Sequence, residues 1–413
     1  MIIQRKVMKS NSLRAFTFFF ALTAAATAVH AQGPQAPANP APAGAAEAGP
    51  NVGVTPKGGG LFIKSDDGRA VVRLMGYAQP TFIATAESNK QAYKVPSFFV
   101  RRARADFKAE YDSLYTLFFE YDGGPTAATS LVEGYAQAAL VKNYLNFRMG
   151  KYIQPFSAEN LRSSRALETV ERFQALGALV GLSAFDAKIG AMLFGTLDPE
   201  KQVKYFLSVN NGSLATASNG GDVRDNNSDK DYIGRFEFSP GKIFRVGVAG
   251  DYDKEKAQTL SVKSYSGATF DTLHVYGTRI ALDVDLHSQL NNLGLEAEWL
   301  WADFSDTGAS MNGGYVQAGY WVKGSEAEGG IEPLLRLEYT SVSADHPPAA
   351  STEVDGSVLM SATLGVNYWM NGWTRWQLNL IEETTSKKGN VTYAAADDGR
   401  FLPTLFAQFQ IKF

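Results

Sequence analysis

Polar and apolar side chains alternate along much of the chain from Leu61 onward. In 102–111, RARADFKAEY, the even positions carry charges and the odd positions carry alanine or aromatic residues. A repeat of two places successive side chains on opposite faces of a β-strand, whereas a helix would mix the two sets. One face therefore meets an apolar medium and the other a polar one. A soluble β-sandwich, with the apolar face in its core, would show the same alternation.

Sixteen such segments are predicted along the chain, and short and long links alternate between them. The link 112–113 is tight, whereas 153–179, 211–230 and 253–270 are long. The segments are 70–85, 97–111, 114–122, 131–141, 145–152, 185–194, 203–210, 231–238, 244–252, 272–286, 292–302, 314–322, 331–341, 357–370, 373–381 and 401–413. Short turns opposite long loops are typical of outer-membrane barrels and favour one over a sandwich.

Aromatic residues near the strand ends support the membrane interpretation, because such barrels carry aromatic girdles at both interfaces. They are Tyr111, Tyr121, Tyr252, Trp301 and Tyr368. Strands in lipid must close on themselves to pair their backbone groups, and an even number leaves both termini on the periplasmic side. The predicted fold is all-β, a transmembrane antiparallel β-barrel of about sixteen strands. That number predicts a water-filled lumen rather than a packed interior.

The first 31 residues are typical of a secretory signal peptide. Arg5, Lys6, Lys9 and Arg14 precede an apolar run at 15–29, and Ala31 precedes the expected cleavage site. The run is short of the roughly 20 residues of a membrane-spanning helix, the alternative interpretation. Residues 32–60, rich in Pro, Ala and Gly, are predicted to form a flexible periplasmic lead-in, and 61–413 the barrel.

Composition and scattered histidines exclude several other functions. The chain has a formal charge of -3, and removal of the four basic residues of 1–31 gives -3 - 4 = -7, which disfavours nucleic-acid binding. Cysteine is absent, and His274, His287 and His346 lie far apart and in no motif with serine. We therefore expect no catalytic residues, no metal site and no cofactor.

Several stretches resemble the phosphate-selective porin O and P family. They are FFVRRAR at 98–104, EYD at 120–122, NFRMGKYIQPF at 146–156, SVNNG at 208–212 and LGVNYW at 364–369. The resemblance implies a sixteen-stranded, trimeric outer-membrane porin whose third outer loop folds inward to constrict the channel. In members that bind phosphate, lysines at the constriction and a ladder of arginines conduct the anion. The final strand, which ends at Phe413, is similar to the strand that barrel-assembly machinery recognises, although an ordinary edge strand would also be amphipathic.

Charges on the face opposite the apolar one predict the character of the lumen. Thirteen are basic: Arg73, Arg102, Arg104, Lys108, Arg148, Lys188, Lys204, Arg235, Arg245, Arg279, Arg336, Arg375 and Lys412. Thirteen are acidic: Asp106, Glu110, Glu120, Asp122, Glu133, Asp186, Glu237, Asp251, Asp283, Asp285, Glu296, Glu298 and Glu338. Averaged over the wall, this balance predicts no strong ion preference. Arg102, Arg104, Lys108 and Arg148 are the basic residues expected to line the lumen most directly.

The long segment 153–179 is the predicted constriction, where charges act at close range. Ser157, Ala158 and Glu159 could begin a turn, and Leu161, Ala166, Leu167, Val170 and Phe173 recur near helical spacing, which predicts a short helix. The candidate anion-binding residues are Lys151, Arg162, Ser163, Ser164, Arg165 and Arg172. Two arginines one turn apart with hydroxyls between them could bind an oxyanion. Alternatively, Glu168 pairs with Arg172, and the arginines contact wall carboxylates such as Asp106 or Glu120.

The sequence thus predicts a porin for passive diffusion of small solutes, with small anions, and phosphate among them, as the expected cargo. A non-selective diffusion porin and a non-conducting structural or adhesive barrel are the alternatives. Only Lys151 supplies a lysine near the constriction, where phosphate-binding relatives have several, which favours general anion passage. Further expected partners are outer-membrane lipid, lipopolysaccharide, the barrel-assembly machinery and two further copies of the chain.

Overall fold

The computed structural model describes residues 51–55, 59–85, 96–124, 130–181, 186–212, 228–241, 243–267, 269–344, 357–385 and 403–413. The predicted signal peptide 1–31, and the lead-in up to residue 50, lie outside these ranges. The described residues all belong to one unit, Asn51–Phe413.

Sixteen strands of the described residues form a closed antiparallel barrel, as predicted. They are β3 (Ala70–Thr85), β4 (Ser97–Tyr111), β5 (Tyr115–Asp122), β6 (Ser130–Val141), β7 (Leu145–Tyr152), β8 (Lys188–Thr196), β9 (Val203–Asn211), β10 (Lys230–Phe238), β11 (Phe244–Lys263), β12 (Thr269–Leu290), β13 (Leu293–Phe304), β14 (Ala309–Tyr320), β16 (Gly329–Ala344), β17 (Ser357–Asn371), β18 (Thr374–Thr385) and β19 (Thr404–Lys412). The last strand closes on the first, with Phe406 opposite Ile83 and Lys412 opposite Tyr77. The first and last strands of the barrel thereby pair their backbone N–H and C=O groups with each other, as a lipid environment requires.

Three short strands were not predicted. They are β1 (Val52–Val54), β2 (Leu61–Lys64) and β15 (Lys323–Ser325). β1 pairs with β2, and β2 pairs with β3, which is the first strand of the barrel. Ordered pairing therefore begins inside the predicted lead-in 32–60.

Side chains alternate between the two faces of the wall. On β18, Arg375, Gln377 and Asn379 are buried, whereas Trp376, Leu378 and Leu380 expose 45 to 48% of their surface. Exposed apolar side chains on the outer face suit contact with lipid. The alternation therefore identifies the odd-numbered positions of β18 as those that face the interior.

The hairpin between β11 and β12 is longer than predicted. The sequence predicted strands at 244–252 and 272–286 with a loop at 253–270, whereas β11 continues to Lys263 and β12 starts at Thr269. Leu260 pairs with Leu273, and both are buried. The polar composition of this stretch concealed the alternation that continues through Leu260 and Val262. We call residues 258–275 the inserted hairpin.

Residues 153–181, the inserted segment, bond to the inward face of the wall and contain the predicted short helical elements. Helix α1 (Ala158–Leu161) begins after Ser157, whose Oγ accepts a hydrogen bond from Asn160 N at 3.1 Å. A 3-10 turn at Ser164–Ala166 follows, and helix α2 spans Gln174–Gly181. The segment thus starts with the predicted turn.

The prediction of helix over the spacing Leu161 to Phe173 is wrong. Val170 packs with Ile83 and Phe406, whereas Phe173 belongs to a separate cluster that contains α2. A helix would have placed residues three apart on one face. Because each side chain packs against a different part of the wall, this stretch follows the inner surface of the barrel instead.

An apolar cluster fills part of the barrel, for which the sequence predicted a water-filled lumen narrowed by the segment 153–179. Leu176 and Leu179 of α2 pack with inward residues of β13 and β14, such as Leu300 and Met311, and with Leu260 of the inserted hairpin. All are buried. Apolar side chains therefore occupy this sector of the interior.

Candidate functional site

Buried polar contacts fix the inserted segment to β13 and β16. Arg336 Nη1 donates to Glu159 Oε1 at 2.7 Å and to Thr169 Oγ1 at 2.9 Å. Glu298 Oε2 accepts from Glu159 N at 3.0 Å. Arg336 and Glu159 are both almost completely buried, so each charge depends on the other for compensation.

A second set of contacts joins the segment to β18 and β4. Arg375 Nη1 donates to the carbonyl oxygen of Leu167 at 2.8 Å, and Asn379 Oδ1 accepts from Val170 N at 2.8 Å. On the other side, Arg101 donates to both carboxylate oxygens of Glu171, at 2.6 and 2.9 Å. The segment thus contacts strands on both sides of the closure between β19 and β3.

Five of the six predicted constriction residues lie on the 3-10 turn or beside it. Arg162 forms an ion pair with Glu296 on β13. Arg172 donates to the carbonyl oxygen of Arg162 at 3.0 Å and faces the hydroxyl of the buried Ser164 at 3.4 Å. Ser163 precedes the turn, and its carbonyl oxygen accepts from Ala166 N. Arg172 therefore stabilises the turn.

Arg165 lies on the 3-10 turn and keeps part of its side chain accessible to water. Its side chain is 27% exposed, and Nη1 lies 3.9 Å from Asp106 Oδ2 on β4. Asp106 is one of the wall carboxylates that the sequence suggested as an alternative partner. The alternative pair of Glu168 with Arg172 is replaced, because Glu168 accepts a hydrogen bond from Gln317.

Lys151 lies apart from the other constriction residues. It is still within β7, where it pairs with Gly134 and Ile189, and its neighbour Met149 is 62% exposed on the outer face. Lys151 Nζ donates to the carbonyl oxygen of Leu131 at 2.7 Å. By alternation Lys151 shares the outward face with Met149, because β7 extends to Tyr152 before the segment turns inward.

The environment of the inserted segment shifts the acidity of its charged groups. Burial, followed by the nearby carboxylates of Glu296 and Glu332, raises the pKa of Glu168 to about 8. Burial acts to lower the pKa of Arg162, but Glu296 outweighs burial and the net pKa is raised. Burial acts to raise the pKa of Glu171, but the bidentate contact with Arg101 outweighs it and the net pKa is lowered.

The four residues predicted to line the lumen most directly all lie on the inward face. Arg102 donates to Gln79 Oε1 at 3.0 Å and is buried, whereas Arg104 pairs with Glu120 and Asp122. Lys108 and Arg148 are partly exposed. These cations therefore differ strongly in their access to water.

Several cations on the inward face of the wall are more exposed to water than most of its carboxylates. Lys108, Lys204 and Arg245 expose 34, 44 and 32% of their side chains. Asp285 and Glu296 expose 2 and 5%. Glu110 is the most exposed of the barrel carboxylates that pair with these three cations, and it lies between Arg73 and Lys108. These three long basic side chains extend into water, whereas other cations of the wall, such as Arg235, Arg279 and Arg336, are as buried as the acids.

Four inward carboxylates escaped the sequence-based assignment: Asp231, Asp253, Glu332 and Glu383. All are buried. Lys188 Nζ lies 2.7 Å from Asp231 and 3.6 Å from Asp253. They lie at or beyond the ends of the predicted segments, and continuing the alternation by one or two residues would have identified them.

The inserted hairpin contacts the inserted segment across the lumen. Tyr265 at its tip donates to Glu338 Oε1 on β16 at 2.6 Å, and its hydroxyl lies 3.1 Å from the carbonyl oxygen of Arg172. Tyr265 N donates to both carboxylate oxygens of Glu383 on β18, at 3.1 Å. A cavity of about 530 Å³ lies between the two elements, lined among others by Tyr265 and Ala178. No pattern in the sequence indicated this second inserted element.

In the part of the chain that the structure describes, no helix is long and apolar enough to span a membrane.

Comparison with known proteins identifies a family and a fold. The family model described as phosphate-selective porin O and P matches residues 84–411. No curated protein sequence matches the chain. Similar solved structures include a loop L8 deletion mutant of OmpT, an outer membrane protein of Vibrio cholerae, which is 13% identical with a TM-score of 0.59 and 84% of this chain and 100% of that chain covered. In-vitro folded OmpT in a trimer form is 12% identical, with a TM-score of 0.57 and coverage of 84% and 100%.

The outer membrane channel DcaP of Acinetobacter baumannii is 10% identical, with a TM-score of 0.53 and coverage of 85% of this chain and 99% of that chain. At these identities the structural similarity concerns the fold.

Proposed function

This chain belongs to the phosphate-selective porin O and P family, and from that premise we propose that it is an outer-membrane porin that passes small anions by passive diffusion. The observation that carries the anion preference is the exposure of the lumenal charges. Lys108, Lys204, Arg245 and Arg165 reach water, whereas most of the carboxylates opposite them are buried. An ion in the passage meets the exposed charges at close range, with little screening.

Arg165 is the residue of the constriction that we propose to act most strongly on a passing ion. Arg162 is neutralised by Glu296, and Arg172 binds main-chain oxygens of its own segment. Ser163 and Ser164 would assist through their hydroxyls, whereas Lys151 lies on the opposite face of β7. A constriction with arginine and without an inward lysine favours general anion passage, with phosphate as one of several permeant anions.

The sensitive measurement is the reversal potential of purified protein in a planar bilayer under a KCl gradient. We expect chloride to be preferred over potassium. A unit charge about 8 Å from the path, screened by about 0.1 M salt, changes the energy of an ion by about 0.25 kcal/mol. The change has opposite signs for chloride and potassium, so one charge alters their permeability ratio roughly twofold. Arg165→Glu, a change of two charges, should therefore lower the permeability ratio of chloride to potassium roughly fivefold.

Lys142→Glu is the matched control, because it makes the same charge change at an exposed turn outside the lumen. Cation preference in the wild type, or equal shifts in the two variants, would contradict the proposal. Absence of stepwise conductance would favour a non-conducting barrel.

The proposed porin function also predicts how the chain is exported and how many copies of it associate. We propose that residues 1–31 are removed on export, which N-terminal sequencing of protein from outer membranes would reveal as a first residue at Gln32. We also propose a homotrimer, by analogy with the trimer form of OmpT. Size-exclusion chromatography with light scattering tests that assembly.

A further inference from the structure

Aromatic side chains form a patch on the inward face of β5–β9, where polar residues would be expected in a water-filled lumen. Its members are Phe118, Tyr135, Phe194 and Phe206, each only partly buried. They alternate with exposed outer-face residues such as Leu117, Leu193 and Leu207. Contact with lipid accounts for the outer-face side chains but not for these four rings, which point into the passage.

The rings are arranged in two pairs with a guanidinium between them. The centroids of Phe118 and Tyr135 are 5.2 Å apart, and Phe194 and Phe206 are stacked at 6.1 Å with 5° between their planes. The guanidinium carbon of Arg148 lies 4.0 Å from the Tyr135 centroid and 5.1 Å from that of Phe194. Arg148 therefore bridges the pairs into one surface across five strands.

Two glycines lie in the wall beside this surface, and the side chain of Asn210 packs against Gly190. Gly150, which pairs with Tyr135, and Gly190, which pairs with Gly150, occupy successive inward positions on β7 and β8. Neither residue carries a side chain that could cover the Tyr135 ring. Arg148 is held in place, since its Nε and Nη2 contact Gln137 Oε1 at 3.2 and 2.9 Å.

Exposed cations flank the patch. Lys108 pairs with Phe118 across β4 and β5, and Lys204 is two residues from Phe206 on the same face of β9. Lys108 lies 2.9 Å from Glu110 and Lys204 lies 3.6 Å from Glu237. Arg73 and Arg148 add two further cations, and Glu120 and Glu133, two residues from Phe118 and Tyr135 on the same inward faces, add two carboxylates. The surface thus combines ring faces with exposed cations.

We propose that this patch is a binding surface for small aromatic carboxylates on their way through the channel. The ring would stack against Phe194 and Phe206, and the carboxylate would lie toward Arg148 and Lys204. An inorganic anion would make no use of the rings, and a neutral sugar would make no use of the cations. The inference deepens the proposed anion channel, on which it rests, by naming a class of organic substrate.

Block of the chloride current by two matched acids tests the proposal in the wild-type protein. Benzoate and cyclohexanecarboxylate share charge and size, but only benzoate has a π face. Because two aromatic contacts contribute, we expect benzoate to block at roughly fivefold to tenfold lower concentration. Phe194→Leu with Phe206→Leu should abolish that difference, and Arg148→Lys, which keeps the charge but not the planar group, should reduce it.

Phe236→Leu is the control, because Phe236 lies on the outer face of β10 and is 53% exposed. Equal block by the two acids, or equally potent block by a neutral disaccharide, would overturn the aromatic-carboxylate proposal. Both measurements use the wild-type protein, so they do not depend on whether the variants fold. A pore that prefers chloride but does not distinguish the acids would leave the proposed anion channel intact and reject only this inference.

Discussion

The guanidinium of Arg162 forms an ion pair with Glu296, and that contact joins the constriction to β13. His287 Nδ1 also lies 3.0 Å from Glu296, so the carboxylate is shared between two basic groups. The pair neutralises a cation that the sequence placed in the candidate anion site. We therefore expect the selectivity of the proposed anion channel to depend on which charges remain uncompensated, rather than on the total number of each sign.

Glu296→Gln should uncover the charge of Arg162 and raise the preference for chloride. One uncompensated charge predicts a permeability ratio roughly twofold higher, by the same Coulomb argument as for Arg165. The reversal potential in a KCl gradient measures the change, and Arg162→Gln combined with Glu296→Gln should return it to near the wild-type value. Glu382→Gln, at an exposed position on β18, serves as control. A fall in chloride preference in the single variant would reject the argument.

Arg336→Leu should loosen the inserted segment. It leaves Glu159 buried without its cation, and breaking one side of a buried pair costs about 3–5 kcal/mol. We expect a lower temperature of barrel unfolding and a larger single-channel conductance. Addition of Glu159→Gln removes the unpaired charge and should recover part of the stability. Conductance and unfolding temperature equal to wild type would show that Arg336 does not hold the segment.

The barrel could be predicted from the sequence because alternation is a local property that lipid on one side and water on the other impose on each strand. Segments such as 97–111 and 145–152 agree with the observed strands to the residue. Strand ends were less certain, and residues there, Glu383 among them, were missed.

The interior could be predicted only in part. The sequence indicated that 153–179 enters the barrel, but not where its helix lies, because Val170 and Phe173 are buried by strands distant in the chain. The contact of Tyr265 with Glu338 likewise joins positions 73 residues apart. Such pairings depend on closure of the barrel, which no local pattern records.

Glu168 should make the anion preference depend on pH. Its pKa is raised to about 8 from an ordinary value of 4.5, so the carboxyl group is protonated at neutral pH and ionises as the pH rises through about 8. The added negative charge should lower the ratio of chloride to potassium permeability by roughly twofold between about pH 7 and 9. Glu168→Gln cannot ionise and should show a smaller change over this range. Identical pH profiles of the two proteins would contradict the assignment.

The same shift has a consequence for stability. Between about pH 4.5 and 8 the unfolded chain has lost the proton that the folded chain retains at Glu168. The contribution of this group to the free energy of unfolding is therefore fully present below about 4.5 and is lost as the pH rises through about 8. In Glu168→Gln this loss should be absent, and unfolding temperatures at acidic and alkaline pH measure the difference.

Tyr265→Phe should release the inserted hairpin from the inserted segment. The variant loses the hydroxyl that donates to Glu338, and a hydrogen bond to a charged group contributes about 1.5–3 kcal/mol. The chain contains no cysteine, so Ala178→Cys provides a single thiol at a buried position lining the cavity beside Tyr265.

Labelling of that thiol by a water-soluble reagent reports how often the hairpin moves away from α2. If opening precedes labelling, a loss of about 1.4 kcal/mol raises the rate roughly tenfold. Tyr276→Phe removes the same hydroxyl from an exposed position on β12 and should leave the rate unchanged. Equal labelling rates in the wild type and in Tyr265→Phe would show that the hydroxyl does not hold the hairpin, and that the main-chain hydrogen bonds to Glu383 and the buried Leu260 and Val262 suffice.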